Sequence, residues 1–139
     1  MKNLTLPGFY ENLAIICEYV RQAAEQAGLS EKAAYEVETA VDEAFANIID
    51  HAYGGEGKGD IECSCLIDEK GLTIQLRDHG REFNPSKIKP PNIKAPLSKR
   101  KDRGLGLYLM RQWMDVVTFE FSKTQGNMLT MVKYRESNS

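Results

Sequence analysis

Residues 42–51 read Asp-Glu-Ala-Phe-Ala-Asn-Ile-Ile-Asp-His and place Glu43 and Asn47 four residues apart in a strongly helical run. Residues with this spacing lie on one face of an α-helix. The helical repeat predicts a core stripe beside them, which consists of Val37, Val41, Ala44 and Ile48. We therefore expect Glu43 and Asn47 on the shoulder of the helix, half out of the core. There a carboxylate can accept a proton from a hydroxyl and an amide oxygen can hold Mg²⁺, whereas the plainer alternative is an exposed helix flank.

Length and composition limit the class of protein. With 139 residues the chain is large enough for one domain with a substantial core and too small for two, so we expect a single domain over residues 1–139. The N-terminus has no signal pattern, and no apolar run is long enough to cross a bilayer. Cys17, Cys63 and Cys65 form no metal-binding motif and are interpreted as reduced core thiols. These features predict a cytoplasmic protein with no membrane contact.

Charge is distributed unevenly along the chain. The net charge is −2, yet residues 84–103 carry seven basic side chains and one acidic one, so this segment is +6 and the remainder is −8. Four of the five prolines also lie there, which excludes a long helix and predicts an extended loop. We interpret residues 84–103 as a lid over an anionic ligand, with a solvated basic loop as the alternative. The acidic remainder argues against direct nucleic-acid binding, which favours a wide basic face.

Periodicity and turn residues predict three helices and five strands. The helices are expected at 10–27, 31–52 and 104–114, and the strands at 4–6, 60–67, 72–78, 116–122 and 128–134. This order of elements indicates an α+β fold. We expect a two-layer sandwich in which helices cover one face of a mostly antiparallel, mixed sheet.

Asp78 is the second informative residue, because its side of the predicted strand is otherwise apolar, with Leu72, Ile74 and Leu76. An inward carboxylate needs hydrogen-bond donors, and no basic residue shares that side of the strand. The exocyclic amine of a purine would provide a donor. Gly80 would let a ligand approach the backbone closely, and Phe83 could close the pocket. The alternative is an aspartate that merely begins a turn.

The third motif is a pair of glycines, Gly104 and Gly106, at the start of the last predicted helix. Exposed backbone amides at a helix start favour a phosphate group. A lone Gly-x-Gly is weak evidence, because glycines also allow close packing and the chain turn into a helix. Its position directly after the basic segment strengthens the prediction of a phosphate site.

Glu43-x-x-x-Asn47, Asp78-x-Gly80-x-x-Phe83-x-Pro85 and Gly104-Leu105-Gly106-Leu107 follow one another in this order. In order and spacing they resemble the N, G1 and G2 boxes of the Bergerat-fold ATPases, a fold shared by gyrase, MutL and histidine kinases. The resemblance covers nearly the whole chain. Within that superfamily the sequence is most similar to the small bacterial anti-sigma-factor serine/threonine kinases, through residues 4–7, 40–54, 83–85 and 126–133.

This resemblance implies roles for the matching residues. Asn47 would coordinate Mg²⁺, and Glu43 would be the base toward the substrate serine or threonine. Asp78 would read adenine, with Gly80 and Phe83 beside it. Gly104 and Gly106, with Leu105 between them, would contact the phosphates, and Thr130 would lie near the adenine. Arg103 stands directly before Gly104, and from this position we expect its guanidinium to reach phosphate oxygens that the helix amides leave free.

The motifs predict a nucleotide-binding protein, and the resemblance implies an ATP- and Mg²⁺-dependent kinase that phosphorylates an anti-anti-sigma antagonist protein and separately holds a sigma factor. The alternative is a nucleotide-binding interaction module that sequesters a partner without phosphoryl transfer, and Glu43 favours the enzyme. A full histidine kinase is disfavoured because the chain has no room for a separate dimerisation helix pair, and His51 is interpreted as structural. The sequence leaves the oligomeric state open, a homodimer included.

The lid hypothesis predicts a specific pattern of hydrogen exchange. Without nucleotide, the amides of residues 84–103 should exchange rapidly, and with ATP and Mg²⁺ they should gain protection because charge neutralisation orders the segment. Protection should be greater with ATP than with ADP if Arg103 reaches the γ-phosphate. Protection that appears only when a protein partner is added would contradict the lid and assign the charges to that partner.

Overall fold

The computed structural model describes residues 3–83 and 111–136. Five β-strands are present there: β1 (Leu4–Pro7), β2 (Asp60–Ile67), β3 (Gly71–Asp78), β4 (Val116–Ser122) and β5 (Gly126–Tyr134). Two α-helices, α1 (Leu13–Gln26) and α2 (Glu31–Asn47), lie between β1 and β2. A 3₁₀ turn (Tyr10–Asn12) precedes α1, and a π-helical turn (Ile48–Ala52) follows α2. No helix in these two ranges is long and apolar enough to cross a membrane.

The strands form one sheet in the order β1-β2-β3-β5-β4. All four ladders between them are antiparallel, so the parallel pairing that a mixed sheet requires does not occur among the described strands. Burial alternates along β3, where Leu72, Ile74, Leu76 and Asp78 are buried and the residues between them are half-exposed. Side chains alternate across a strand, so the predicted inward orientation of Asp78 is confirmed.

Helices α1 and α2 pack together and cover one face of this sheet, which confirms the α+β class. The largest fully buried side chains come from both layers, for example Ile16, Phe45, Ile74 and Met131. The predicted stripe of Val37, Val41, Ala44 and Ile48 is buried throughout. Burial of these side chains against the inner face of the sheet is the main force that fixes α2 in position.

Glu43 and Asn47 are more buried than the helical repeat predicts. Glu43 is only 3% exposed and Asn47 only 6%, so the expectation that they lie half out of the core was wrong. The reason is that Ala44, Phe45 and Ala46 between them are also buried. A helix with consecutive buried residues is enclosed on more than one side, and its flank is then part of the interior.

Helix α2 begins as predicted and ends differently. The Ser30 hydroxyl oxygen accepts a hydrogen bond from the Ala33 amide at 3.1 Å and caps the N-terminus. The α-helix was expected to continue to Ala52, but it changes at Ile48 into the π-helical turn, in which the Tyr53 amide donates to the Ile48 carbonyl. Such turns are often found at functional sites. Of the last predicted helix, only residues 111–113 are described, and these are helical.

Candidate functional site

A pocket lies between the C-terminal end of α2 and the inner face of the sheet. Its walls are mainly apolar and include the aromatic rings of Phe83, Phe119 and Phe121. Among the described residues, three polar side chains reach it from separate elements: Asn47 from α2, Asp78 from β3 and Asn127 from β5. A lining of aromatic rings with a few placed polar groups is typical of sites for flat, nitrogen-rich rings.

Asp78 is the charged group of this pocket and is only 2% exposed. Its Oδ1 accepts hydrogen bonds from the Gly80 amide and from Asn127 Nδ2, both at 2.9 Å. Burial raises the pKa of this carboxyl above its ordinary value, and the two hydrogen bonds partly oppose that rise. Within the described residues both donors act on Oδ1, so Oδ2 is the atom at which a ligand donor would be accepted.

Asn127 is a site residue that the sequence reasoning missed. Its Nδ2 also donates to the carbonyls of Gly80 and Arg81, each at 3.2 Å. It lies opposite Asp78 in the β3–β5 ladder, a pairing that involves residues 49 positions apart. One signal was available, because Asn127 shares the strand side of the apolar Leu129 and Met131 and is therefore a polar residue that faces inward.

Gly80 lets two chain segments meet closely. A Cβ at this position would lie 2.5 Å from the carbonyl of Ala52 in the π-helical turn. The next residue, Arg81, donates its amide to the Ala52 carbonyl and its Nε to the His51 carbonyl, both at 2.8 Å. The loop after β3 is thereby attached to the end of the helix that carries Asn47.

Phe83 lines the pocket as the sequence reasoning expected, and its ring packs against the ring of His51. The two ring centroids are 5.7 Å apart. Besides this ring packing, the His51 carbonyl accepts a hydrogen bond from Arg81 Nε. Both contacts agree with a structural role for this histidine.

Asn47 and Glu43 lie one helical turn apart on α2. Asn47 lines the pocket, and its buried Nδ2 has no hydrogen-bond partner among the described residues. Rotation of the amide would present Oδ1 instead, so this side chain fits a hard cation that enters with a ligand. Glu43 is buried one turn earlier and is not among the residues that line the pocket.

Thr130 does not join this cluster. It lies on β5 between Leu129 and Met131, which are both buried under the helices, so its side chain points to the other face of the sheet. There its hydroxyl accepts a hydrogen bond from Gln75 Nε2 at 3.3 Å. The β5 residue that does contact Asp78 is Asn127.

Two expectations lie outside the described residues. They are the lid at 84–103 and the phosphate contacts of Arg103, Gly104, Leu105 and Gly106.

Comparison with known proteins agrees with the α+β fold. The sequence signature of the histidine kinase-like ATPase domain matches residues 6–133. The chain belongs to this family. A solved structure, the histidine kinase domain of a blue-light activated histidine kinase from Erythrobacter litoralis, superposes with a TM-score of 0.52 at 14% identity. It covers 91% of this chain, and the chain spans 60% of that structure, so the likeness concerns the fold.

Several relatives carry the name serine-protein kinase RsbW. The protein from Oceanobacillus iheyensis is 32% identical over 115 residues, which are 80% of this chain and 72% of the relative. The protein from Bacillus mycoides is 31% identical over 135 residues, which are 94% of this chain and 82% of the relative.

The three bonds of Asn127 predict a cost when they are removed. Asn127→Ala leaves the buried Asp78 Oδ1 without its side-chain donor and removes the bonds to two loop carbonyls, so the free energy of unfolding should fall by about 1–3 kcal/mol. Urea unfolding measures this change. Asn12→Ala is the matched control, because among the described residues the Asn12 side-chain Nδ2 donates one solvent-exposed hydrogen bond, to the Pro7 carbonyl, and its loss should cost much less. Equal stability losses in the two variants would contradict the role of Asn127.

Proposed function

We propose that this protein is an ATP- and Mg²⁺-dependent serine/threonine kinase that phosphorylates an anti-anti-sigma antagonist protein and separately binds a sigma factor. The observation that carries the proposal is the inward carboxylate of Asp78 in an aromatic-walled pocket next to Asn47. Membership of the histidine kinase-like ATPase family and the relatives named serine-protein kinase support it.

Asp78 is the group that selects the base. A buried carboxylate accepts hydrogen bonds and offers none when ionised, so it favours a ring that carries an exocyclic amine. Adenine has such an amine, whereas guanine presents a carbonyl oxygen at the same ring position. The rings of Phe83, Phe119 and Phe121 supply the flat apolar walls against which a purine would pack.

Asn47 is the residue that would hold Mg²⁺. No group of three His, Cys, Asp or Glu side chains suited to a metal lies within residues 3–83 and 111–136, so the cation would depend on Asn47 together with phosphate oxygens and water. Bound there, the cation would neutralise phosphate charge. The amides at Gly104 and Gly106, with Leu105 between them, and the Arg103 side chain are proposed to contact the remaining phosphate oxygens, as the sequence motif implies.

Glu43 is proposed as the base of phosphoryl transfer. The hydroxyl oxygen of the substrate forms a bond to the γ-phosphorus, the bond from that phosphorus to the bridging oxygen of ADP breaks, and the hydroxyl proton passes to the carboxylate. Glu43 lies one turn from Asn47 on the same helix, so base and cation would approach the same region.

The protein partners follow from the family resemblance. A sigma factor is a cytoplasmic protein, so the proposal also implies the cytoplasmic location expected from the sequence.

Replacement of Asp78 tests the adenine assignment. Asp78→Asn keeps the shape but can present an amide nitrogen to the adenine amine, so ATP affinity should fall by about 1–3 kcal/mol in calorimetry. The same variant should unfold at an equal or higher temperature at pH 7, because burial raises the pKa of Asp78 and the ionised form is therefore disfavoured in the folded state. Unchanged ATP affinity would rule out adenine recognition by this residue.

Substitutions of Glu43 and Asn47 should have different effects, the first on phosphoryl transfer and the second on nucleotide binding. Glu43→Gln should retain ATP and lose phosphoryl transfer to the antagonist protein by roughly 10²-fold or more, because the proton acceptor is gone. Asn47→Ala should instead weaken the Mg²⁺-dependent part of nucleotide binding. Transfer of radiolabelled γ-phosphate, together with ATP titrations with and without Mg²⁺, measures both effects. Transfer by Glu43→Gln at the parent rate would refute the base, and ATP binding without any transfer by the parent would identify a sequestering module.

A further inference from the structure

Tyr53 occupies an unusual position at the end of the ladder between β2 and β3. The last pair of that ladder on the side of the pocket is Glu62 with Arg77. Continued by two residues, the same register would set Asp60 opposite His79, and their backbone groups would form the next hydrogen bond. Instead, the Tyr53 hydroxyl donates to the Asp60 carbonyl at 2.6 Å and accepts from the His79 amide at 3.0 Å. One side-chain oxygen therefore replaces a hydrogen bond of the sheet.

The backbone and the ring of Tyr53 make further contacts that hold the residue in place. The Tyr53 backbone amide closes the π-helical turn by donating to the Ile48 carbonyl at 3.0 Å. The ring lies directly over Gly59, where any Cβ would overlap it. Tyr53 thus connects three segments: the turn that follows Asn47, the beginning of β2 and the end of β3.

The bond to His79 acts on Asp78, because the amide of His79 belongs to the peptide unit that joins the two residues. Holding this peptide fixes the backbone torsion of Asp78 and so the direction in which its side chain leaves the strand. Asn127 holds the carboxylate oxygen from the opposite strand at 2.9 Å. The orientation of Asp78 is thereby determined at both ends, at its peptide by Tyr53 and at its Oδ1 by Asn127.

The hydroxyl is suited to this bridging role. Burial raises the pKa of Tyr53, and the nearby charges of Asp78 and Asp60 raise it further, while the bond from His79 acts in the opposite direction. The hydroxyl therefore remains protonated at neutral pH and can donate and accept at once.

We infer that Tyr53 is a positioning residue for base recognition: its hydroxyl spreads the ends of β2 and β3 apart and aims the Asp78 carboxylate at the exocyclic amine of the purine. This inference rests on the proposed function and deepens it. Without the hydroxyl, the Asp60 carbonyl and the His79 amide are left unpaired or close on each other, and either outcome turns Asp78 away from its ligand.

The test compares two nucleotides in Tyr53→Phe, which keeps the ring and removes only the hydroxyl. Calorimetry with Mg²⁺ measures the affinities for ATP and for purine riboside triphosphate, which differs from ATP by a hydrogen in place of the 6-amino group. Tyr53→Phe should lose about tenfold in ATP affinity and keep its affinity for the analogue, so the preference for ATP collapses. Tyr35→Phe is the matched control, because Tyr35 is 62% exposed and its ring packs on Trp113. Removal of the Tyr35 hydroxyl should change neither the affinity for ATP nor that for the analogue.

A double-mutant cycle separates positioning from a general structural role. If Tyr53 acts through Asp78, Tyr53→Phe should change ATP affinity by less than about twofold once Asp78→Asn is present. Equal losses for the two nucleotides, or an additive loss in the Asp78→Asn background, would overturn the inference. If Tyr53→Phe does not fold, 3,5-difluorotyrosine at position 53 keeps the ring and ionises nearer neutrality, and its preference for ATP should decline as the pH rises through that ionisation. A preference that does not change with pH would also overturn the inference.

The same data distinguish this inference from the proposed function. A parent protein that binds ATP no better than the analogue would refute adenine recognition by Asp78. A parent that prefers ATP, with the full preference retained in Tyr53→Phe, would refute only the role of Tyr53.

Discussion

A buried carboxylate held by neutral hydrogen-bond donors is the constraint on which the rest of this site depends. Asp78 lies at the end of a strand that is otherwise apolar on its inner side, and desolvation disfavours its charge. The protein stabilises it with neutral donors, the Gly80 amide and the Asn127 amide group, which leave its negative charge in place. A salt bridge to Asp78 would have occupied the acceptor oxygen that the ligand needs.

The neighbouring backbone is arranged around this carboxylate. The loop after β3 packs so closely on the π-helical turn that only glycine fits at Gly80, and Arg81 donates two hydrogen bonds to carbonyls of that turn. The widened turn exposes carbonyls that a continuing α-helix would have used internally. As a result, Asp78 and Asn47 belong to one packed unit. A shift of one of these residues should therefore displace the other.

Much of the fold was predictable because its signals are local. Alternating apolar residues located β2, β3 and β4 to within a residue, and the 3.6-residue repeat found the core stripe of α2. Ser30 marked the beginning of α2. Burial of the helix flank was not predictable in this way, because it depends on what surrounds α2 on each side. The π-helical turn was missed for a similar reason, since its carbonyls are satisfied by a loop about 30 residues further on.

The sequence by itself determined several of the residues that form the site. It showed the four-residue spacing of Glu43 and Asn47, the inward side of the strand on which Asp78 lies, and the glycine two residues after Asp78. Only the tertiary structure decided how these groups are held. Asn127 and Tyr53 lie 49 and 25 positions from Asp78, and no periodicity along one strand or helix relates residues at such separations. It also removed Thr130 from the pocket, because a one-residue change of position on a strand moves a side chain to the opposite face of the sheet.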